Sequence, residues 1–315
     1  MKLSIVATLY KSEPYIDEFY RRASDAASKL FGQDYEVILV NDGSPDNSLD
    51  KAVKLSKLDE KVKVVNLSRN FGHHKAMMTG LMHAKGGLVF LIDSDLEEQP
   101  EWLALFYEKM NVTQADVVYG VQETRKGSWF ERESGKIFYK VVNFLGNVKI
   151  PENFITTRLM SIDYVKSLLN YTEREFQFSA LCVLTGFEQE HLVVKKINSS
   201  PTSYTTKQKI SYLVNAVTSF SNYPLILIFY FGLIVSSLSV TYILFLIVNW
   251  LIYDTAIQGW TSLIASVWLF GGLILAALGV IGIYLGKVFI EVKRRPYTII
   301  KAIYENGKKQ KVEHL

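Results

Sequence analysis

The sequence predicts an α/β domain built on a mostly parallel sheet, followed by two helices that cross a membrane. Two observations predict it. Residues 1–120 alternate short β-branched runs with amphipathic stretches, the pattern of strands joined by covering helices. Beyond Lys209 there is no Asp, Glu, Lys or Arg until Asp254, and none again until Lys287. The averages over 315 residues, a net charge of +4 and a mean hydropathy of +0.13, hide this division. Residues 1–209 hold 27 basic and 27 acidic side chains, whereas residues 287–315 hold eight basic against three acidic. The composition excludes an entirely soluble protein, a disordered chain and a globally basic nucleic-acid binder. The single cysteine, Cys182, excludes an intramolecular disulfide and a Cys-based zinc site.

Strands are predicted at 3–8, 36–41, 62–67, 88–93 and 116–120, with helical stretches at 14–30, 46–58, 73–85 and 99–110. The first helix places Ile16, Phe19, Tyr20, Ala23 and Ala27 on one face, with Ser12 as its N-cap and Pro14 in its first turn. Strands this apolar argue for a sheet covered on both faces, whose ligands bind beyond the carboxyl ends of the strands.

Residues 225–251 and 262–286 each exceed the roughly 20 apolar residues needed to span a bilayer core. Tyr230, Tyr242, Trp250, Tyr253 and Trp260 supply aromatics near the interfaces. The loop 252–261 has no Lys or Arg, while Lys207, Lys209, Lys287, Lys293, Arg294 and Arg295 flank the pair. The positive-inside rule then puts both termini on the cytoplasmic side of the membrane. No signal-peptide pattern opens the sequence, so residues 1–206 are expected in the cytoplasm. Ile210, Leu213, Val214 and Val217 recur at helical spacing within 207–224, which fits an amphipathic juxtamembrane helix or a plain linker helix. The basic tail 287–315 is expected to lie on the same anionic leaflet.

The polar motifs fall at the predicted strand ends. Thr8-Leu9-Tyr10 follows the first strand, and Asn41-Asp42-Gly43-Ser44, also a good turn sequence, follows the second. After the third, Ser68-Arg69-Asn70-Phe71-Gly72 opens a helix near His73, and Arg69 with a helix N-terminus suits a phosphate. The fourth ends in Asp93-Ser94-Asp95-Leu96-Glu97-Glu98. Two carboxylates one residue apart point to the same side and repel unless a cation lies between them. Mg²⁺ or Mn²⁺ accepts such oxygens and takes diphosphate oxygens as further ligands.

LSIVATLY, NDGS, LSRNFG, LIDSDLEEQPE and DVVYG, in this order and spacing, resemble the inverting family 2 glycosyltransferases of the GT-A fold, a Rossmann-like nucleotide-sugar-binding domain. More narrowly the chain is similar to polyprenyl-phosphate glycosyltransferases: dolichyl-phosphate mannose synthases and bactoprenol glucosyltransferases with two spans. SFSNYPL (219–225) and the hairpin match that subgroup as well. The resemblance implies that Thr8, Leu9, Tyr10, Asp42, Ser44, Arg69 and Asp93 bind the nucleotide sugar, with Asp42 on the base and Asp93 against ribose and metal. It implies Asp95 as a metal ligand joined by Glu97, where relatives usually have Gln. Relatives carry Lys after the Gly of SRNFG; here His73 and His74 precede Lys75, so any of the three could approach the donor phosphates.

The resemblance also nominates Arg125, Arg132, Lys136 and Ser203 for the acceptor phosphate, with Arg125 and Arg132 acting beside Asp93 and Asp95 in catalysis. Trp129 and Phe130 would touch the bilayer or the prenyl chain. Arg158 matches a family position, but the acidic residue usual just upstream is replaced by Asn153 or Thr156. Lys195, Lys196 and Tyr204 stand where relatives place a basic acceptor loop. The implied reaction moves a hexose, glucose from UDP-glucose, onto undecaprenyl phosphate with inversion, for decoration of cell-surface polysaccharide. Relatives also imply self-association. A phosphomonoester has its second pKa near ~6 and is largely anionic at neutral pH, so no strong general base is required; Glu173 and Glu175 are the remaining carboxylates that could serve. A related enzyme acting on a hydroxyl is the alternative, although the Q-x-x-R-W motif of processive synthases is absent. A transporter is disfavoured by spans without an ionisable residue, and a catalytically dead scaffold by the intact Asp93 and Asp95.

Overall fold

The computed structural model describes residues 1–122, 153–174, 178–196, 214, 217–218, 221–253 and 259–310. They divide into an α/β unit, which includes the segment from Arg295 onward, and a helical unit.

The α/β unit begins with β1 (Leu3–Leu9), α1 (Ile16–Phe31), β2 (Tyr35–Asn41), α2 (Ser48–Leu58), β3 (Val62–Leu67), α3 (His73–Met82), β4 (Leu88–Leu91), α4 (Trp102–Thr113) and β5 (Val117–Gln122). It continues with β6 (Phe154–Ser161), α5 (Ile162–Leu169), α6 (Phe178–Leu184) and β7 (Gln189–Val194). The sheet order is β7-β5-β6-β4-β1-β2-β3, extended by two further strands beside β3. β1 pairs in parallel with both β2 and β4, and β2 with β3, whereas β6 runs antiparallel between β4 and β5. The order 3-2-1-4 reverses direction at β1, so a crevice opens beyond the carboxyl ends of β1 and β4.

Strand alternation explains why both faces are covered. Leu3, Ile5, Ala7 and Leu9 of β1 join Val37 and Leu39 of β2 in one core, packed against Phe19 and Ala23 of α1 and Phe106 of α4. Val6, Ile38 and Val40 point the other way, into a second core with Met77 and Leu81 of α3 and Leu168 of α5. Whereas α3 buries six successive residues from Ala76 to Leu81, α1 is amphipathic as expected but starts later. Tyr15 is its N-cap without a side-chain bond, because the Ser12 hydroxyl accepts instead from Tyr10 N at 3.1 Å and from Ser94 Oγ at 3.1 Å. β4 stops at Leu91, two residues short of the expected end, and releases Asp93 from the ladder.

The helical unit holds α7 (Tyr223–Tyr253) and α8 (Trp260–Val292), each longer than the apolar run that predicted it. Within them, Tyr223–Tyr242 and Ser266–Val292 are long and apolar enough to cross a membrane. Large apolar side chains such as Leu227, Phe229, Trp268 and Leu275 are exposed, as a lipid-facing surface would be. Tyr284 Oη of α8 donates to the Ser221 carbonyl just ahead of α7, at 2.6 Å.

The tail departs from expectation. Residues 287–292 continue α8, and beyond Arg295 the chain rejoins the sheet as β8 (Ile300–Glu305) and β9 (Lys308–Gln310). β8 pairs antiparallel with β3, from Lys63 opposite Glu305 to Leu67 opposite Ile300. Ala302 is buried in this pairing, Lys63 Nζ meets Glu305 Oε1 at 2.9 Å, and Thr298 Oγ1 lies 2.9 Å from Thr79 Oγ1 of α3. The physical reason is the edge: an uncovered β3 would present a row of unpaired backbone groups, and the β-branched segment TIIKAIYE supplies a strand to cover it. Most of 207–220, expected as a juxtamembrane helix, lies outside the described residues.

Candidate active site

The site forms where β1 and β4 end side by side. His73, the first residue of α3, bridges them: its Nδ1 lies 3.0 Å from Thr8 Oγ1 and its Nε2 3.2 Å from Asp93 Oδ1. In the neutral ring with the proton on Nε2, Nδ1 accepts from the Thr8 hydroxyl while Nε2 faces the Asp93 carboxylate. Burial works to depress the His73 pKa, but Asp93, with help from Glu98 and Asp42, overcomes it and raises the pKa above the usual histidine value. Asp93 shows the reciprocal outcome. Burial would raise its pKa, yet the hydrogen bond and charge of His73, together with Lys196 and a hydrogen bond from Thr156, hold it below the carboxylate range. His74 turns the other way, towards Phe178, and burial, followed by the neighbouring His73, lowers it to about 4.

Asp95 is exposed at the surface beyond Asp93, and its Oδ1 accepts from the Glu97 backbone N–H at 3.0 Å. Desolvation by its surroundings, and after it the charge of Asp93, raise its pKa. Leu96 takes a positive φ of 62° to turn the chain there. Glu98 follows, fully buried, accepting from Thr157 Oγ1 of β6 and pairing with Lys196 Nζ at 2.9 Å. Lys196 Nζ also lies 3.8 Å from Glu97 Oε2. Burial opposes the lysine charge, but Glu98, followed by Asp93 and Asp95, raises its pKa. Among the described residues, no three His, Cys, Asp or Glu side chains are arranged to hold a metal ion. The donor set still fits a hard divalent cation: two repelling carboxylates offer part of a shell, leaving positions for diphosphate oxygens and water.

The neighbouring loops are fixed by side-chain bonds to backbone. Asp42, expected on the base, is buried and accepts from Phe71 N at 2.7 Å and Gly72 N at 3.0 Å, so it clamps the β3–α3 loop to the end of β2. Gly43 (φ +59°) makes this approach feasible, since a Cβ there would lie 2.4 Å from both Arg69 C and Asn70 N. Ser44 Oγ donates to Asp46 Oδ1 at 2.5 Å and accepts from Lys11 N at 2.7 Å. Asp46 gathers bonds from Ser44, Ser48 and Glu13 N, which outweigh burial and lower its pKa to about 2. Leu9 is buried in the core rather than lining a pocket, whereas Tyr10 is exposed. Arg69 lies over the Phe71 ring, 4.2 Å from its centroid.

The structure thus brings together Thr8, Asp93, Asp95 and Glu97, and of the three basic residues left open after Gly72 it puts His73 at the centre. Glu98 and Lys196 were not expected there; a buried carboxylate in the polar run LEEQPE has no local signature. Arg158 is fully enclosed, with the Phe154 and Phe178 rings 4.4 and 4.7 Å away, and it donates to the Thr156 and Ile155 carbonyls and to Cys182 Sγ. That makes it a brace between β6 and α6. Glu173 is half-buried in the loop after α5. Arg125, Trp129, Phe130, Arg132, Lys136, Glu175, Ser203 and Tyr204 lie outside the described residues.

A mixed α/β sheet with paired carboxylates at the switch point is the arrangement expected of a GT-A glycosyltransferase. The profile of the family described as Glycosyl transferase family 2 matches residues 4–169. A Mycobacterium tuberculosis protein named among glycosyltransferases is 50% identical over 304 residues, covering 96% of this chain and 89% of its own. The Escherichia coli K12 prophage bactoprenol glucosyl transferase homolog is 31% identical over 307 residues, covering 96% of this chain and 99% of its own. Of the solved structures, Staphylococcus aureus TarS 1–349 in complex with UDP-GlcNAc is similar with a TM-score of 0.46 and 19% identity, over 70% of this chain and 66% of that one. The chain belongs to the family 2 glycosyltransferases.

Proposed function

We propose that this glycosyltransferase moves glucose from UDP-glucose to undecaprenyl phosphate, with inversion, at the cytoplasmic face of a membrane. The observation that carries the reading is the extent of the similarity to bactoprenol glucosyl transferases. It runs over 96% of the chain and so takes in the apolar helices as well as the sheet.

In this reading the crevice beyond β1 and β4 receives the nucleotide sugar. Thr8, Tyr10, Asp42, Ser44 and Arg69 surround the nucleoside diphosphate, and Asp93 approaches the ribose. Asp95, joined by Glu97, would hold Mg²⁺ or Mn²⁺, which when bound neutralises charge on the departing diphosphate. His73 orients Asp93 through one ring nitrogen and Thr8 through the other. Arg125, Arg132, Lys136 and Ser203 hold the acceptor phosphate, whose own anionic oxygen is the nucleophile. Positioning then replaces deprotonation, and attack opposite the leaving group converts an α-linked donor into a β-linked lipid phosphate.

The reading also includes a topology, with α7 and α8 crossing the membrane and both flanks cytoplasmic. β8 supports it: the chain before α7 and the chain after α8 share one sheet, so the crossings between them must be even in number. An impermeant maleimide should label a cysteine placed at Ala256 from the outside of intact cells; labelling only after lysis sinks the topology.

The enzymatic test is a panel of radiolabelled nucleotide sugars offered with a short-chain polyprenyl phosphate, with and without Mn²⁺ or Mg²⁺. Expected is metal-dependent label in a β-linked polyprenyl phosphate from UDP-glucose. Label entering only hydroxyl acceptors, or an α-linked product, would overturn the scheme.

A further inference from the structure

The motif resemblance places Lys196 in an acceptor loop, facing a lipid phosphate. The structure turns it the other way. At the end of β7 its ammonium sits 2.9 Å from Glu98 and 3.8 Å from Glu97, with Asp93 and Asp95 inside its electrostatic reach. Glu98 is fully enclosed and is held from its other side by the Thr157 hydroxyl. A buried carboxylate fixed by two partners is a rigid anchor, so the lysine has little freedom to swing towards solvent.

Four carboxylates, Asp93, Asp95, Glu97 and Glu98, therefore share one lysine. Glu98 engages that lysine most closely, and the lysine in turn offsets part of the charge on the other three. We propose that Lys196, anchored by Glu98, is a positioning residue for the acidic cluster: it sets the net charge at Asp93, Asp95 and Glu97 and thereby how tightly the site holds a divalent cation. Between turnovers, when nucleotide and cation leave, the ammonium keeps the carboxylates from driving the loop 93–98 apart. During turnover it prevents the extra carboxylate at Glu97 from holding the cation too tightly for release.

This inference rests on the metal-assisted reading above, and the test separates the two. The full chain in detergent is titrated with Mn²⁺ at fixed UDP, and the electron paramagnetic resonance signal of free Mn²⁺ gives its affinity. In Glu98→Gln the full lysine charge acts on the remaining ligands. Even at the dielectric of water, a unit charge several ångströms from a divalent ion changes its binding on the order of fivefold, so Mn²⁺ should bind about fivefold more weakly. Adding Lys196→Met to that variant removes the lysine's offset of the remaining carboxylates and should raise the affinity back at least to that of wild type. This double variant replaces a buried ion pair by neutral groups of similar volume, a change that proteins tolerate. Lys196→Arg should bind Mn²⁺ as wild type does. Unchanged affinity in Glu98→Gln, or no recovery in the double variant, overturns the inference while leaving metal binding intact. A wild-type chain that takes up no Mn²⁺ overturns both.

Discussion

Gly43 couples the two loops that frame the nucleotide crevice, and replacing it with alanine tests that coupling. Two costs are expected. The residue has φ +59°, where an L side chain costs roughly 1–2 kcal/mol. The new methyl would also stand 2.4 Å from Arg69 C and Asn70 N and 2.9 Å from Arg69 Cα. Those are backbone atoms pinned by the bonds from Phe71 N and Gly72 N to Asp42, so no side chain can rotate out of the way. Forcing a methyl into such contact costs about 1–3 kcal/mol. Gly186→Ala is the control, because Gly186 has φ +73° with nothing within 4 Å of its added methyl. It carries the conformational cost alone. Thermal unfolding of both variants at one scan rate should therefore place Gly43→Ala below Gly186→Ala by about 1–3 kcal/mol, or roughly 2–12 °C for a unit of this size. If Gly43→Ala melts no lower than Gly186→Ala, the close approach of the loops is wrong, and with it the clamp assigned to Asp42.

Three other outcomes follow from the same structure. Asp95→Asn should lower sugar transfer by about 100-fold or more with an unchanged circular dichroism spectrum; near-normal turnover would remove Asp95 from the mechanism. His74 is held neutral in the fold, with its pKa at about 4 against 6.5 in an unfolded chain. The unfolded chain takes up the proton first, so the part of the stability that His74 contributes should be lost as the pH drops from 6.5 towards 4 and be constant above. His74→Phe should flatten that limb, and parallel denaturation curves for the two proteins would refute the assignment. Deleting residues 295–315 should uncover β3 and cause aggregation in size-exclusion chromatography, whereas a monodisperse, active truncation would show that β8 is dispensable.

The strands from β1 to β5 and the helices between them were legible in the sequence because their signals are local. Alternation of period two and an amphipathic face each arise within a dozen residues, and the apolar runs of α7 and α8 need no context at all. The site was legible only as motifs at strand ends. Asp93 and Asp95 could be paired because one residue separates them, and Thr8 could be placed near them because parallel strands end on one side. His73 could not be told from His74 and Lys75, since which of three successive helical residues faces the sheet depends on how α3 docks.

What the tertiary structure alone decided are contacts between residues far apart in the chain. Lys196 meets Glu98 because β7, β5, β6 and β4 lie side by side in the sheet, and no sequence pattern encodes that order. Asp42 proved to hold a loop 29 and 30 residues further on. The tail, basic by composition, became strands because β3 offered an edge that backbone hydrogen bonds had to satisfy. Charge and hydropathy are properties of a segment and can be summed along the chain. The partner of a strand edge or of a buried charge is a property of the packed whole, where leaving either unpaired costs more than the segment's own preference can offset.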